Sequence, residues 1–218
     1  MGIGAGANAV EDGLVFCVDA ANKRSYPGTG TTWTDLAGEN NGTLTNGPTF
    51  SSDNRGSIEF DGTDDYILLD NDIILGTASS ITVWVRDLGS TGIIAGSSNS
   101  NYLLATLQIG IHTYIFSNPP DPDFYYRWNT IIADLSNTWT HLSFSRDGLI
   151  AYFYINGGEA ILMSVTGDGD DGYIVSSIGA GGSSVPMEGN LTCLHIYNRT
   201  LTDDEVRQNY NATRGRFK

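Results

Sequence analysis

The chain has 218 residues, of which 40% are hydrophobic and only 17% are charged. That length fits one sizeable domain with its own core, and the 27 glycines favour a fold with many turns over a helical one. The 25 acidic residues outnumber the 11 basic ones and give a formal net charge of −14. A surface of this sign repels phosphate backbones, which argues against nucleic acid as a partner.

The N-terminal residues 1–12 read as a flexible arm. They lack the basic start and the apolar stretch of a signal peptide, and Gly6 stands where a myristoylation pattern needs Ser or Thr. No apolar run approaches the length that spans a membrane. We therefore expect a protein that is made in a cytoplasm and does not insert into a membrane.

The two cysteines, Cys17 and Cys193, are far apart and have no histidines at metal-ligand spacing. This pattern excludes a zinc module and a disulfide framework. Two buried reduced thiols are the expectation, and a single long-range disulfide is the alternative.

Short apolar or alternating runs, separated by turn residues, predict roughly a dozen strands. In chain order the predicted strands are 14–18, 57–60, 66–69, 80–86, 92–95, 102–109, 111–116, 124–128, 130–133, 138–146, 149–155, 160–165, 173–178 and 191–197. The stretch 23–54 reads as a long loop that Trp33, Leu36, Leu44 and Phe50 hold against the core. Asp147-Gly148 and Asn156-Gly157 predict tight hairpin turns. The pattern predicts an all-β, two-sheet antiparallel jelly-roll sandwich.

One short helix is predicted at the C-terminal end. Thr202 and Glu205 have the spacing of a capping box, in which each satisfies a backbone N–H of the first turn. Val206 and Tyr210 lie four residues apart and can pack together onto the sandwich. We divide the chain into the arm at 1–12, a sandwich domain at 13–213 and a basic tail at 214–218.

Several segments together resemble the laminin-G-like branch of the concanavalin A-like lectin and glucanase superfamily, of the type carried by virion proteins of tailed phages. These segments are Gly13–Asn22, Tyr26–Leu36, Asn41–Pro48, Ile58–Tyr66, Trp139–Leu142, Arg146–Gly148, Tyr154–Gly157 and Gly189–Thr202. The resemblance implies two antiparallel sheets of about six or seven strands each. It also implies that the first and last strands lie close together, which would bring Cys17 near Cys193.

The sequence predicts no catalytic machinery. The glucanase branch of the superfamily uses Glu-x-Asp-x-x-Glu on one strand. The nearest match, Glu59 to Asp64, ends in Asp and lies on a turn, where we expect Asp61 to bond backbone amides. His112, His141 and His195 each lie inside a predicted strand, and we expect them to be hydrogen-bonded or at the surface.

No nucleophile elbow, phosphate-binding loop or dinucleotide fingerprint occurs in the sequence. We therefore predict that the protein is not an enzyme, and we assign no catalytic, cofactor-binding or metal-binding residue. Glycan hydrolysis is kept only as a remote alternative.

Two segments offer alternative binding roles. The acidic loop Asp168–Gly172 reads as a solvated hairpin tip, and a calcium site is the alternative, because calcium prefers carboxylate oxygens. The aromatic run Phe124–Trp128 reads as strand core and sheet face, and a sugar platform is the alternative. The acidic surplus of the chain is explained by solubility, with calcium sites or a cationic partner as alternatives.

Two functions from different classes fit these observations. The first is a non-catalytic structural protein of a tailed-phage virion, as a capsid decoration protein or a tail or fibre component. There the arm and the basic tail would reach neighbouring subunits, which are other virion proteins or copies of the same chain. The second is a carbohydrate-binding lectin or receptor-binding module that recognises glycans on a host surface.

Overall fold

The computed structural model of the protein describes residues 9–86, 88–89, 91–97, 102–109, 112–118, 125–128, 137–166, 172–179 and 186–217. For residues 91, 102–109, 112–118, 125–128 and 164–166 it describes the backbone path only. The predicted strand 130–133, residue Phe124, the acidic residues Asp168–Asp171 and arm residues 1–8 lie outside the described residues. The metal and sugar alternatives proposed for two of these segments therefore stay predictions.

The described chain forms seventeen strands and one α-helix. The strands are β1 (Leu14–Val18), β2 (Thr32–Trp33), β3 (Gly42–Thr45), β4 (Thr49–Ser51), β5 (Ser57–Asp61), β6 (Tyr66–Leu75), β7 (Ala78–Arg86), β8 (Thr91–Gly96), β9 (Tyr102–Ile109), β10 (His112–Asn118), β11 (Tyr125–Trp128), β12 (Thr140–Asp147), β13 (Ile150–Ile155), β14 (Ile161–Leu162), β15 (Ser164–Thr166), β16 (Tyr173–Ile178) and β17 (Glu188–Tyr197). The helix α1 spans Asp203–Thr213, and short 3-10 helices span Asp53–Arg55 and Arg214–Arg216.

The strands form two antiparallel sheets, which confirms the predicted fold class. Sheet A has eight strands in the order β14-β13-β12-β7-β17-β5-β4, with β1 also paired to β17. Sheet B has nine strands in the order β15-β11-β10-β9-β8-β16-β6-β3-β2. The inner faces of the two sheets enclose the main hydrophobic core, whose largest side chains include Trp33, Phe16, Phe60, Phe144, Phe153 and Tyr173.

The prediction of one long loop over 23–54 is wrong, because the structure places β2, β3 and β4 there. Trp33 and Leu44 are buried, as expected. Their backbones also join the sheet, since β3 pairs with both β2 and β6. These strands have only two to four residues. An alternation of polar and apolar residues over so short a length cannot be distinguished from the surrounding turn residues.

The last strand, β17, contains a bulge at Cys193. Cys193 has a φ of 50°, and two residues of β17 stand opposite one residue of β7 between Thr192 and His195. Before the bulge, β17 pairs with β5; after it, β17 pairs with β1. The first and last strands are thus adjacent, as the family resemblance implied. Cys17 stands opposite His195, and both thiols are free and buried.

The outer face of sheet A is polar and buried at its centre. The outward side chains at the centre of its three central strands include Ser80, Thr82, Trp84, His141, Ser143, Ser145, Thr192, His195 and Tyr197, and each of these is at most 2% exposed. Helix α1 covers this face with Val206, Asn209 and Tyr210, and the Tyr210 ring stacks on Trp84 at 5.6 Å. The predicted packing of Val206 and Tyr210 onto the sandwich is therefore confirmed.

The C-terminal segment Arg214–Phe217 completes this cover. The Arg216 guanidinium donates to both carboxylate oxygens of Asp19 at 2.9 Å, and the two side chains are 11% and 8% exposed. Phe217 packs between Trp84 and Trp139, with ring centroids 4.1 and 5.0 Å away. The described residues of the predicted tail therefore pack against sheet A of their own chain.

We expect Arg216→Ala to lower the free energy of unfolding by about 3–5 kcal/mol, because it leaves the Asp19 carboxylate buried without its cation. Arg24→Ala, at an exposed arginine, is the matched control and should change it by less than about 0.5 kcal/mol. Urea unfolding followed by tryptophan fluorescence measures both. Equal stability of the two variants would show that the C-terminal segment does not hold the outer face.

Candidate functional site

The carboxylates nearest to a glucanase pattern lie on a structural turn. Glu59 and Asp61 are both exposed on β5. The Asp61 carboxylate accepts a hydrogen bond from the backbone N–H of Thr63 at 2.8 Å, which confirms the role predicted for it.

Asp61, Asp64 and Asp65 bring three carboxylates together at this turn, with ligand oxygens within 4.8 Å of one another. Such a set can contribute to a site for a hard cation such as calcium, which takes six to eight oxygen ligands. One oxygen of Asp65, however, already accepts the backbone N–H of Asp61 at 3.0 Å. Burial is the largest influence on Asp65 and raises the pKa of its carboxyl group. The cluster therefore has a structural explanation without a metal.

If Asp65 stabilises the turn, Asp65→Ala should cost about 1–3 kcal/mol, because the N–H of Asp61 loses its acceptor. Asp64→Ala is the control, since Asp64 is exposed, and it should be nearly neutral. Thermal unfolding with calcium and with a chelator checks the alternative. A rise in Tm with calcium that Asp64→Ala abolishes would make the cluster a metal site instead.

Two of the three histidines are buried in the polar layer under α1. His141 and His195 are each 2% exposed, and the Nδ1 atom of each has no hydrogen-bond partner among the described residues. The expectation that they are hydrogen-bonded or at the surface is therefore wrong for these ring nitrogens. Burial lowers the pKa of His141 to about 3 and that of His195 to about 4. The side chain of His112 lies outside the described residues.

These histidines make stability depend on pH. The folded protein keeps them neutral, whereas in the unfolded chain they bind protons near their ordinary pKa of 6.5. The unfolded state thus binds more protons between pH 6.5 and the folded pKa values, so stability falls as the pH falls through this window. We expect a loss of about 2 kcal/mol for each histidine between pH 7 and pH 5.

Urea unfolding at the two pH values measures this loss. The double variant His141→Gln, His195→Gln should show a much smaller loss than the native protein. Arg199 is the chief cause that lowers the pKa of the Glu205 carboxyl group to about 2. The stability that Glu205 contributes is therefore lost mainly below its ordinary pKa of 4.5, so it changes the result between pH 7 and pH 5 very little. An undiminished loss in the double variant would assign the pH dependence to other groups.

Near the same helix, an open groove of about 550 Å³ lies between β13 and the start of α1. Its lining residues are Tyr152, Tyr154, Thr200, Leu201, Thr202, Asp203, Asp204 and Arg207. Tyr152 and Tyr154 project from the outer face of β13, opposite to Phe153 in the core. The groove therefore joins an aromatic wall on the sheet to a charged wall on the helix.

Hydrogen bonds to sheet A fix the floor of the groove. The backbone N–H of Leu201 is shared between the hydroxyls of Ser80 and Ser145, at 3.0 and 2.9 Å. The Thr200 hydroxyl donates to the carbonyl of Arg146 at 2.7 Å. Because the serines stand on neighbouring strands and bond each other at 2.9 Å, the loop before α1 is held to the rigid centre of the sheet.

The helical wall begins at the predicted capping box. The Thr202 hydroxyl accepts the backbone N–H of Glu205, and the Glu205 carboxylate accepts the backbone N–H of Thr202. Arg199 bonds both oxygens of Glu205, at 3.0 and 2.7 Å. These contacts fix where the first turn of α1 starts, and with it the positions of Asp203 and Asp204.

The groove offers groups suited to a polar ligand with an apolar face. The Tyr152 ring is partly exposed, while the Tyr154 hydroxyl donates to Asp203 at 2.8 Å. Asp204 and Arg207 form an exposed ion pair at 2.8 Å, which presents hydrogen-bond acceptors and donors side by side. The groove was not predicted from the sequence, because its two walls are about fifty residues apart in the chain. The local signal for it was the exposed pair Asp203 and Asp204 in the first turn of α1.

The two-sheet sandwich, with an open groove on its outer face, defines a β-sandwich of the lectin type. A laminin G family model, described as the concanavalin A-like lectin/glucanases superfamily, matches residues 61–207. The chain belongs to this superfamily. We found no curated protein sequence with significant similarity to the chain. No described helix is long and apolar enough to cross a membrane.

Solved structures share the fold at low sequence identity. Domain 4 of AbnA, a GH43 extracellular arabinanase from Geobacillus stearothermophilus, in complex with arabinotriose, has a TM-score of 0.67 and 21% identity, over 90% of this chain and 98% of that one. The ligand-binding domain of botulinum neurotoxin serotype D with N-acetylneuraminic acid has a TM-score of 0.66 and 13% identity, over 93% and 51%. The receptor-binding domain of botulinum neurotoxin type G has a TM-score of 0.59 and 15% identity, over 92% and 51%. The chain spans about half the length of these neurotoxin domains.

Proposed function

We propose that the protein is a non-catalytic glycan-binding module and that the groove between β13 and α1 holds the glycan. The observation that carries this proposal is the combination of the Tyr152 ring with the Asp204–Arg207 ion pair in one open groove. A sugar ring has an apolar face of C–H groups and a rim of hydroxyls. Binding pockets for such ligands combine aromatic surface with a few placed polar groups.

Each wall of the groove has a distinct part in this binding. The partly exposed ring of Tyr152 packs against the apolar face of a sugar and replaces water there. Asp204 accepts from one hydroxyl, and Arg207 donates to a neighbouring one. Because Tyr154 is bonded to Asp203, its ring is fixed and forms a rigid end to the aromatic wall.

The absence of catalysis is part of the proposal. Cys193 Sγ and His195 Nε2 lie 3.7 Å apart, which is the one described pairing of a nucleophile with a histidine base. Burial raises the pKa of the Cys193 thiol and lowers that of His195 to about 4. Both groups are therefore neutral near pH 7 and closed to solvent, whereas a reactive cysteine needs its thiolate and access to substrate.

Two of the structures that share the fold support a sugar ligand. Domain 4 of the arabinanase is described in complex with arabinotriose, and the serotype D domain in complex with N-acetylneuraminic acid. One fold hosts many functions, so the residues of the groove, and not the fold, decide whether a sugar binds.

We expect the purified chain to bind a subset of glycans on an array and Tyr152→Ala to weaken that binding at least about tenfold, which corresponds to the loss of one stacking contact. Tyr66→Ala, at a partly exposed tyrosine of sheet B, is the matched control and should bind normally. Arrays with calcium and with chelator test the alternative metal requirement. If Tyr152→Ala binds glycans as tightly as Tyr66→Ala does, the glycan does not lie in this groove.

A structural role in a virion of a tailed phage is the second candidate. The apolar side chains of Leu149, Ile150 and Leu162 are 46–64% exposed near the β14 edge of sheet A, and such surfaces mark protein contacts. They favour a subunit that packs against other virion proteins or against copies of itself. An array with no bound glycan under both conditions would favour this role over glycan binding.

A further inference from the structure

We propose, on the basis of the glycan-binding function above, that the groove selects its ligand by charge: it takes neutral glycans and glycans with a free amino group, and it excludes carboxylated or sulfated ones. The inference rests on the ionised groups that line the groove. Asp203 and Asp204 provide two carboxylates and Arg207 provides one guanidinium, so the lining has a net charge of −1. The formal charge of the whole chain, −14, has the same sign.

The arginine does not form an anion site. Arg207 is already paired with Asp204 at 2.8 Å, and their side chains are 50% and 91% exposed. An anionic sugar would have to separate this pair and then lie beside both Asp204 and Asp203. The second carboxylate is fixed in place, because Asp203 accepts the hydroxyl of the buried Tyr154 at 2.8 Å.

Arg199, which lies just before α1, already has carboxylate partners as well. Arg199 bonds both oxygens of Glu205 and also contacts Asp12 at 2.9 Å. Its charge is therefore balanced by two carboxylates and does not attract an anion into the groove. The N-terminal end of α1 favours anions, but Asp203, Asp204 and Glu205 already occupy its first turn.

A neutral sugar meets none of these costs. Its hydroxyls can donate to Asp204 and accept from Arg207 while the ion pair stays intact, and its apolar face covers Tyr152. A protonated amino group adds an attraction to Asp203 and Asp204. The order of affinity should be amino-sugar, then neutral, then acidic, with about a fivefold difference between the neutral and the acidic glycan at low salt.

The test uses the full chain and oligosaccharides of one backbone that differ in a single group: a free amine, an N-acetylated amine, and a terminal carboxylated sugar. Titrations at low and at high salt measure the three affinities. We expect the order above, with smaller differences at high salt. Asp204→Asn should move the ratio of acidic to neutral binding toward the acidic glycan by about fivefold, and Asp72→Asn, on an exposed aspartate of β6, should leave the ratio unchanged.

The outcomes separate this inference from the proposed function. If the native protein binds the acidic glycan as tightly as the neutral one, charge selection is overturned while glycan binding stands. The same holds if Asp204→Asn leaves the ratio unchanged. If no oligosaccharide or array glycan binds, the proposed function fails and this inference fails with it.

Discussion

The central constraint on this fold is that the outer face of sheet A is polar and still has to be buried. A hydroxyl or imidazole removed from water without a partner costs free energy, so the face needs a cover that supplies polar contacts as well as apolar ones. Helix α1 and the C-terminal segment supply both. Tyr210 and Phe217 stack on Trp84, Thr213 accepts from the Trp84 indole at 2.7 Å, and Arg216 neutralises Asp19.

That cover also creates the candidate binding groove. The start of α1 is fixed by its bonds to Ser80 and Ser145 through Leu201, and the groove is the space left between this start and β13. The shape of the candidate groove and the burial of the polar face therefore depend on one helix. The same arrangement explains why His141 and His195 are neutral, since the helix that forms the groove wall also closes the layer where they lie.

Local signals in the sequence were sufficient for the sandwich and for the helix start. The hairpin turn at Asp147-Gly148 and the capping box of Thr202 and Glu205 involve neighbours in the chain, and both are present. The chain also turns at Asn156-Gly157, but not as the predicted tight hairpin, because residues 154–160 separate the paired residues Phe153 and Ile161. The groove and the Asp19–Arg216 pair were not predicted, because their partners are far apart; the latter are separated by 197 positions. No periodicity within one segment reports which distant segment will cover it.

The bulge at Cys193 has a consequence for comparing this chain with its relatives. Leu191, Leu194 and Ile196 all face the core, although strict alternation from Leu191 would point residues 194 and 196 outward. The extra residue shifts the phase of β17 by one, and a relative without it would present the same faces with one residue fewer. An alignment of this strand should therefore allow a single gap at position 193, since a gapless one would match core residues of one protein with surface residues of the other.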